Sequence, residues 1–115
     1  MDVLHPDDVP HLARAGCTLM YFGLEAVTQR SLLEIEKIDG RPSRHRRYLE
    51  GARNVIEACL RHDILPVLGV LQPVPGDTPA ELEEALAFLT ELAGIAARLG
   101  PAAHGLGPCF HAFPL

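Results

Sequence analysis

Residues 64–82, ILPVLGVLQPVPGDTPAEL, decide how the rest of the chain is read. Ile64, Leu65, Val67, Leu68, Val70 and Leu71 make the first half apolar at odd and even positions alike. That predicts a β-strand covered on both faces rather than one with a wet side. Pro73, Pro75 and Gly76 then break the run, and Asp77 or Thr78 can cap a helix that starts at Pro79, with Glu81 within reach of the cap. In parallel α/β sheets and barrels, ligands gather beyond the carboxyl ends of the strands. The turn is therefore a candidate binding element, with an ordinary strand-to-helix connection as the plain alternative.

Upstream, Cys17–Leu24 (CTLMYFGL) predicts a second strand, again apolar on both faces and stopping at Glu25. A carboxylate at a strand end suits a ligand's hydroxyl or ammonium groups, and it also suits a helix start near the positive end of the macrodipole. Between the strands, Thr28 can cap a helix through Leu32, Leu33, Ile35 and Glu36 that gives out at Asp39-Gly40. A longer helix follows from Ser43 or Arg44 to His62, with Leu49, Ala52, Val55, Ile56, Cys59 and Leu60 on one face. Nearer the start, Val3 and Leu4 read as a strand tail, and a short helix from Asp7 or Asp8 to Ala15 ends at Gly16. Downstream, a helix is expected over Pro79–Leu99, apolar at Leu82, Leu86, Leu89, Ala93 and Ala96-Ala97. A weaker strand, loosened by Gly105, Gly107 and Pro108, lies within Ala103–Phe113.

Strand alternating with helix means crossover connections and a parallel sheet. The expected fold class is α/β, parallel strands with covering helices, in one domain spanning residues 1–115. Both a barrel wall and a doubly wound sheet satisfy the pattern.

The totals narrow the function. At 115 residues, 48% hydrophobic and 22% charged, the composition is globular. No apolar run approaches the ~20 residues of a membrane span, and MDVLHPDDVP lacks the basic-then-apolar start of a signal peptide, so the chain reads as cytoplasmic. A net charge of -5 argues against nucleic acid as a partner. Arg41, Arg44, Arg46 and Arg47 with His45 form a local exception that could hold an anion, although a solvated helix face is the first reading. Cys17, Cys59 and Cys109 are too widely spaced for a metal pair and read as reduced thiols, Cys59 at a helical core position. No Ser or Cys sits in a nucleophile elbow, and the six His, including His104 and His111, lack metal spacing.

Two segments taken together resemble a known family. AGCTLMYFGLEAVTQRSL (residues 15–32) is similar to the fourth strand of the radical S-adenosylmethionine (SAM) superfamily, of the form "aG...v.fGiEs.sq..L". ILPVLGVLQPVPGDTPAELEEALAFLTEL (residues 64–92) is similar to its fifth strand and helix, "i.v.g.fivGlPgEt.e....tl.f...l". The distance between the two segments, filled by a helix of the "e...ai..lk..gI" kind (Tyr48 to Ile64), is also what the family would have. The resemblance implies strands four to six of a six-stranded partial TIM-type (β/α) barrel, which would be the carboxyl-terminal half of the core, with the amino-terminal half as missing partner. It also implies SAM as ligand, a [4Fe-4S] cluster whose ligands lie outside this chain, and compatibility with an upstream cobalamin-binding domain. Glu25 takes the place of the group that faces the SAM ribose or amino acid. Gly69, Leu71 and the Pro73-Val74-Pro75-Gly76 turn would lie beside the adenine, and Phe110, His111 and Ala112 would close its pocket. Ala26, Val27, Pro73 and Asp77 depart from the family's usual residues, and its CxxxCxxC loop is not present. The competing expectation is a small α/β binding or interaction module without catalysis.

Overall fold

The computed structural model describes residues 4–71, 73–99 and 109–113. After a 3-10 turn at Pro6–Asp8 come α1 (Val9–Arg14), β1 (Leu19–Glu25), α2 (Gln29–Glu34), α3 (Arg44–Arg61), β2 (Leu65–Leu71), α4 (Pro79–Leu99) and β3 (Cys109–Phe113). The three strands form one parallel sheet in the order β1-β2-β3. The α/β class with a parallel sheet is therefore observed. Two sequence expectations, the strand tail before Leu4 and residues 103–108 of the last strand, lie outside the described residues.

Among the described residues, β1 and β2 are covered on one face only. Phe22 and Leu24 of β1 and Pro66, Leu68 and Val70 of β2 are buried against the helices, whereas Leu19 and Tyr21 on the alternate positions are 54% and 51% exposed. Leu65, Val67 and Leu71 on the same open face are half-buried. The expectation that both strands are sandwiched is corrected here. Strands added in sequential order through right-handed crossovers place successive helices on the same side, so the second apolar face has no cover from the described elements.

The core beneath the covered face is built mainly by α3 and α4. α3 buries Tyr48, Ala52, Val55, Ile56, Cys59 and Leu60, close to the expected stripe. α4 has the expected bounds but a rotated stripe: Ala85, Phe88, Leu92, Ile95 and Ala96 are buried, while Leu82 and Leu86 are 40% and 64% exposed. Phe88 carries the bulk that the leucine row was expected to supply. Arg53 of α3 lies 5.0 Å from the Phe88 ring centroid and pairs with Glu91, clamping the two helices across their outer edge.

The ends of α1 and α3 set where β1 and β2 begin. α1, α2 and α3 all close with the same pair of backbone bonds around one left-handed residue. These are Cys17 N–H to Leu12 and Gly16 N–H to Ala13, Lys37 N–H to Leu32 and Glu36 N–H to Leu33, and Ile64 N–H to Cys59 and Asp63 N–H to Leu60. Gly16 was expected at the first, but Glu36 (φ 59°) and Asp63 (φ 57°) hold the other two. α2 thus ends at Glu34, earlier than the composition suggested. Because a side chain in this region costs about 1 kcal/mol relative to glycine, Glu36→Gly is expected to raise the melting temperature and Glu36→Val to lower it; the reverse order in thermal unfolding would mean that Glu36 is held by its side chain.

Candidate functional site

The carboxyl ends of the strands gather almost every residue that the resemblance singled out. Gly69 pairs in register with Gly23 on one side and His111 on the other, Leu71 with Phe113, Leu68 with Phe110 and Val70 with Ala112. Gly23 and Gly69 give the open face a floor without side chains. Two neighbours fold over it: a Cβ at Gly69 would collide with the Tyr21 hydroxyl, and one at Gly23 with the Glu25 carboxylate.

Glu25 lies at a break in the ladder, where pairing slips between Gly23 and Glu25. Its φ is 69°, and the Ala26 N–H bonds to the Leu24 carbonyl across it. A non-glycine residue held in that region marks a position over-determined by its surroundings. Those surroundings come from α3: the Tyr48 hydroxyl donates to the Leu24 carbonyl at 2.8 Å, and His45 Nε2 donates to the Val27 carbonyl at 2.7 Å. The Glu25 side chain is 23% exposed, with Lys37 Nζ 4.0 Å away.

The turn after β2 is organised by Asp77, which sequence reading noted only as a cap or a substitution. Its side chain is 1% exposed and accepts from Ser31 Oγ (2.6 Å), from Arg30 Nη2 (2.5 Å) and from the Val74 amide (2.7 Å). Burial alone would penalise the charge, but the bonds from Ser31, the Val74 amide and Arg30 outweigh it and hold the carboxyl below its ordinary value. Arg30 also donates to Glu81 Oε2 and to the Pro75 carbonyl, so one guanidinium spans the turn and the first turn of α4. Thr78 and Glu81 cap that helix reciprocally, and Thr28 caps α2 through the Ser31 amide. Gly76 turns the corner at φ 91°. Val74 is buried in the core and its N–H is engaged by Asp77, so Pro73, Pro75 and Gly76 are the exposed part of the turn. Arg30, Ser31 and Tyr21 escaped sequence reading, and the only local signal was Arg-Ser following a capping Thr.

The polar groups at the strand ends and the cysteines differ in what they can offer a ligand. Glu25 supplies a half-buried acceptor lying over the Gly23 part of the floor. Cys59, by contrast, is fully buried, and burial, with Cys17 nearby, pushes its thiol up to about 11, which does not fit a cluster thiolate. Cys17 donates to the Leu19 carbonyl. Among the described residues no three His, Cys, Asp or Glu surround a common point, and no helix is long and apolar enough to cross a membrane.

Comparison with family models, with curated proteins and with solved structures finds no match.

Two outcomes test the turn. Asp77→Asn is expected to destabilise the fold by about 1–3 kcal/mol at neutral pH by weakening a buried acceptor. Since the folded carboxyl titrates below 3.8, its stabilisation is complete above that pH and is lost as pH falls through the lower folded value. Acid unfolding of the variant should accordingly be shallower below pH 3.8, and superimposable curves would remove Asp77 from this role. Gly76→Val is expected to cost about 1–3 kcal/mol in chemical denaturation, because a β-branched residue must adopt φ 91° there.

Proposed function

We propose that this chain forms the SAM-facing wall of a radical SAM barrel, with strands β1 to β3 in the places of the fourth to sixth strands. The observation that carries the reading is the one-sided sheet. Sequential parallel strands, helices on the outer face and an open apolar inner face ending in a glycine floor and a carboxylate are what a barrel segment requires. In this reading Glu25 accepts hydrogen bonds from the ribose or amino group, the Gly23-Gly69 floor admits the adenine, and the Pro73–Gly76 turn with the β3 backbone borders it. Phe110, His111 and Ala112 contribute through their main chain. SAM would supply the radical precursor; the cluster that reduces it would be held by residues outside this chain. Lys37 lies 4.0 Å from the Glu25 carboxylate, and the left-handed backbone at Glu25 directs that carboxylate over the floor.

The second reading, a non-catalytic α/β binding module, draws on the fact that Tyr21 and Glu25 themselves occupy the floor. SAM titration separates the two. Under the barrel reading Glu25→Ala weakens SAM binding by about 1.5–3 kcal/mol, the value of a hydrogen bond to a charged group, with little change in thermal stability. Equal SAM affinity in the two proteins would overturn the assignment. Anaerobic reconstitution with iron and sulfide is expected to leave this chain without a stoichiometric cluster, read from iron content and absorbance. A cluster that cleaves SAM would show the core to be misplaced.

A further inference from the structure

We infer that the cleft between α3 and the 36–41 connection binds a phosphorylated small molecule through its phosphate groups, with Arg44 and Arg47 as principal donors and Lys37 and Arg41 at the rim. The inference stands apart from the strand-end reading and needs no part of it. The cleft has a volume of about 700 Å3, within the range of small-molecule sites. Four cationic side chains face two acidic ones, Glu36 and Asp39, in a protein whose net charge is -5. The local sign is thus opposite to that of the whole.

The donors sit on a rigid support. Arg44, Arg47 and Gly51 fall at helical spacing on one side of α3, and the Tyr48 hydroxyl bond to Leu24 holds that part of α3 against β1. A Cβ at Gly51 would meet nothing within 4 Å, which leaves room beside the arginines. One anion already shows how the cleft handles negative charge. The Asp39 carboxylate takes Arg41 Nε and Nη2 at 2.7 and 2.6 Å, with Arg44 Nε at 3.6 Å. The bonds from the Arg41 side chain and amide pull its carboxyl down to about 2. Arg47 makes no ion pair or side-chain hydrogen bond among the described residues. A phosphate offers more oxygens and more charge than one carboxylate, and guanidinium forks match it. The volume leaves space for an organic group against Ile38 and the arginine stems.

The test is calorimetric titration of the full chain at low salt with inorganic pyrophosphate and, separately, with ADP. Binding is expected with both; tighter binding of ADP assigns part of the affinity to the organic group, and equal binding assigns it to the phosphates. The double change Arg44→Gln with Arg47→Gln should weaken both by about tenfold or more. Arg61→Gln, whose partner Glu57 lies outside the cleft, should leave both unchanged. Asp39→Asn, which removes the resident carboxylate, should tighten them. Absence of binding to either probe, or equal weakening by Arg61→Gln and the double change, overturns the site. Should the double variant fail to fold by circular dichroism, unaltered or weaker binding by Asp39→Asn overturns it instead.

Discussion

A single carboxylate, that of Asp77, holds together two stretches of chain that the fold must keep adjacent. It takes a hydroxyl and a guanidinium from α2 and an amide from its own turn, and it does so without solvent. A buried acceptor of this kind is costly unless every lone pair is met, so the arrangement tolerates few alternatives. The position of the turn relative to β1 follows from it. So does the start of α4, since Arg30 reaches from the same cluster to Glu81. The geometry of the turn that borders the strand ends is thus set by Asp77.

The glycine pair and the one-sided sheet form the other half of the design. Helices bury one row of β1 and of β2, and among the described residues the opposite row of these two strands stays largely apolar. Such a face is an unusual thing for a chain to present, because contiguous exposed apolar surface invites association. Tyr21 lessens the exposure of Gly69, and Glu25 that of Gly23. The two side chains that shield the floor are also those that would have to yield to a ligand there.

Much of this was legible in the order of residues. The alternation of apolar strands with periodic helices predicted the parallel sheet, and the cap at Thr28, the helix over Pro79–Leu99 and the buried row of α3 from Ala52 to Leu60 were read directly, with Tyr48 buried where Leu49 was expected. Four features were not. An apolar strand face looks the same in sequence whether or not something covers it, so the open side of β1 was misread as covered. In α4, leucines compete with Phe88 and alanines for the core, and only the packing of α3 selects the row. The endings at Glu36 and Asp63 carry no glycine, so the usual signal for a left-handed residue was missing. The Asp77 network joins residues 46 positions apart at Ser31, a distance over which local pattern says nothing.

The chain has two tyrosines and no tryptophan, and their surroundings differ sharply. Tyr48 is buried with its hydroxyl bonded to a carbonyl, while Tyr21 lies on the open face, half in solvent. Near-ultraviolet emission from this protein therefore comes from one shielded and one accessible phenol. A soluble quencher such as iodide would dim only the accessible fraction, and anything that settles on the glycine floor would protect it. The molecule carries its own optical reporter for the open face of its sheet.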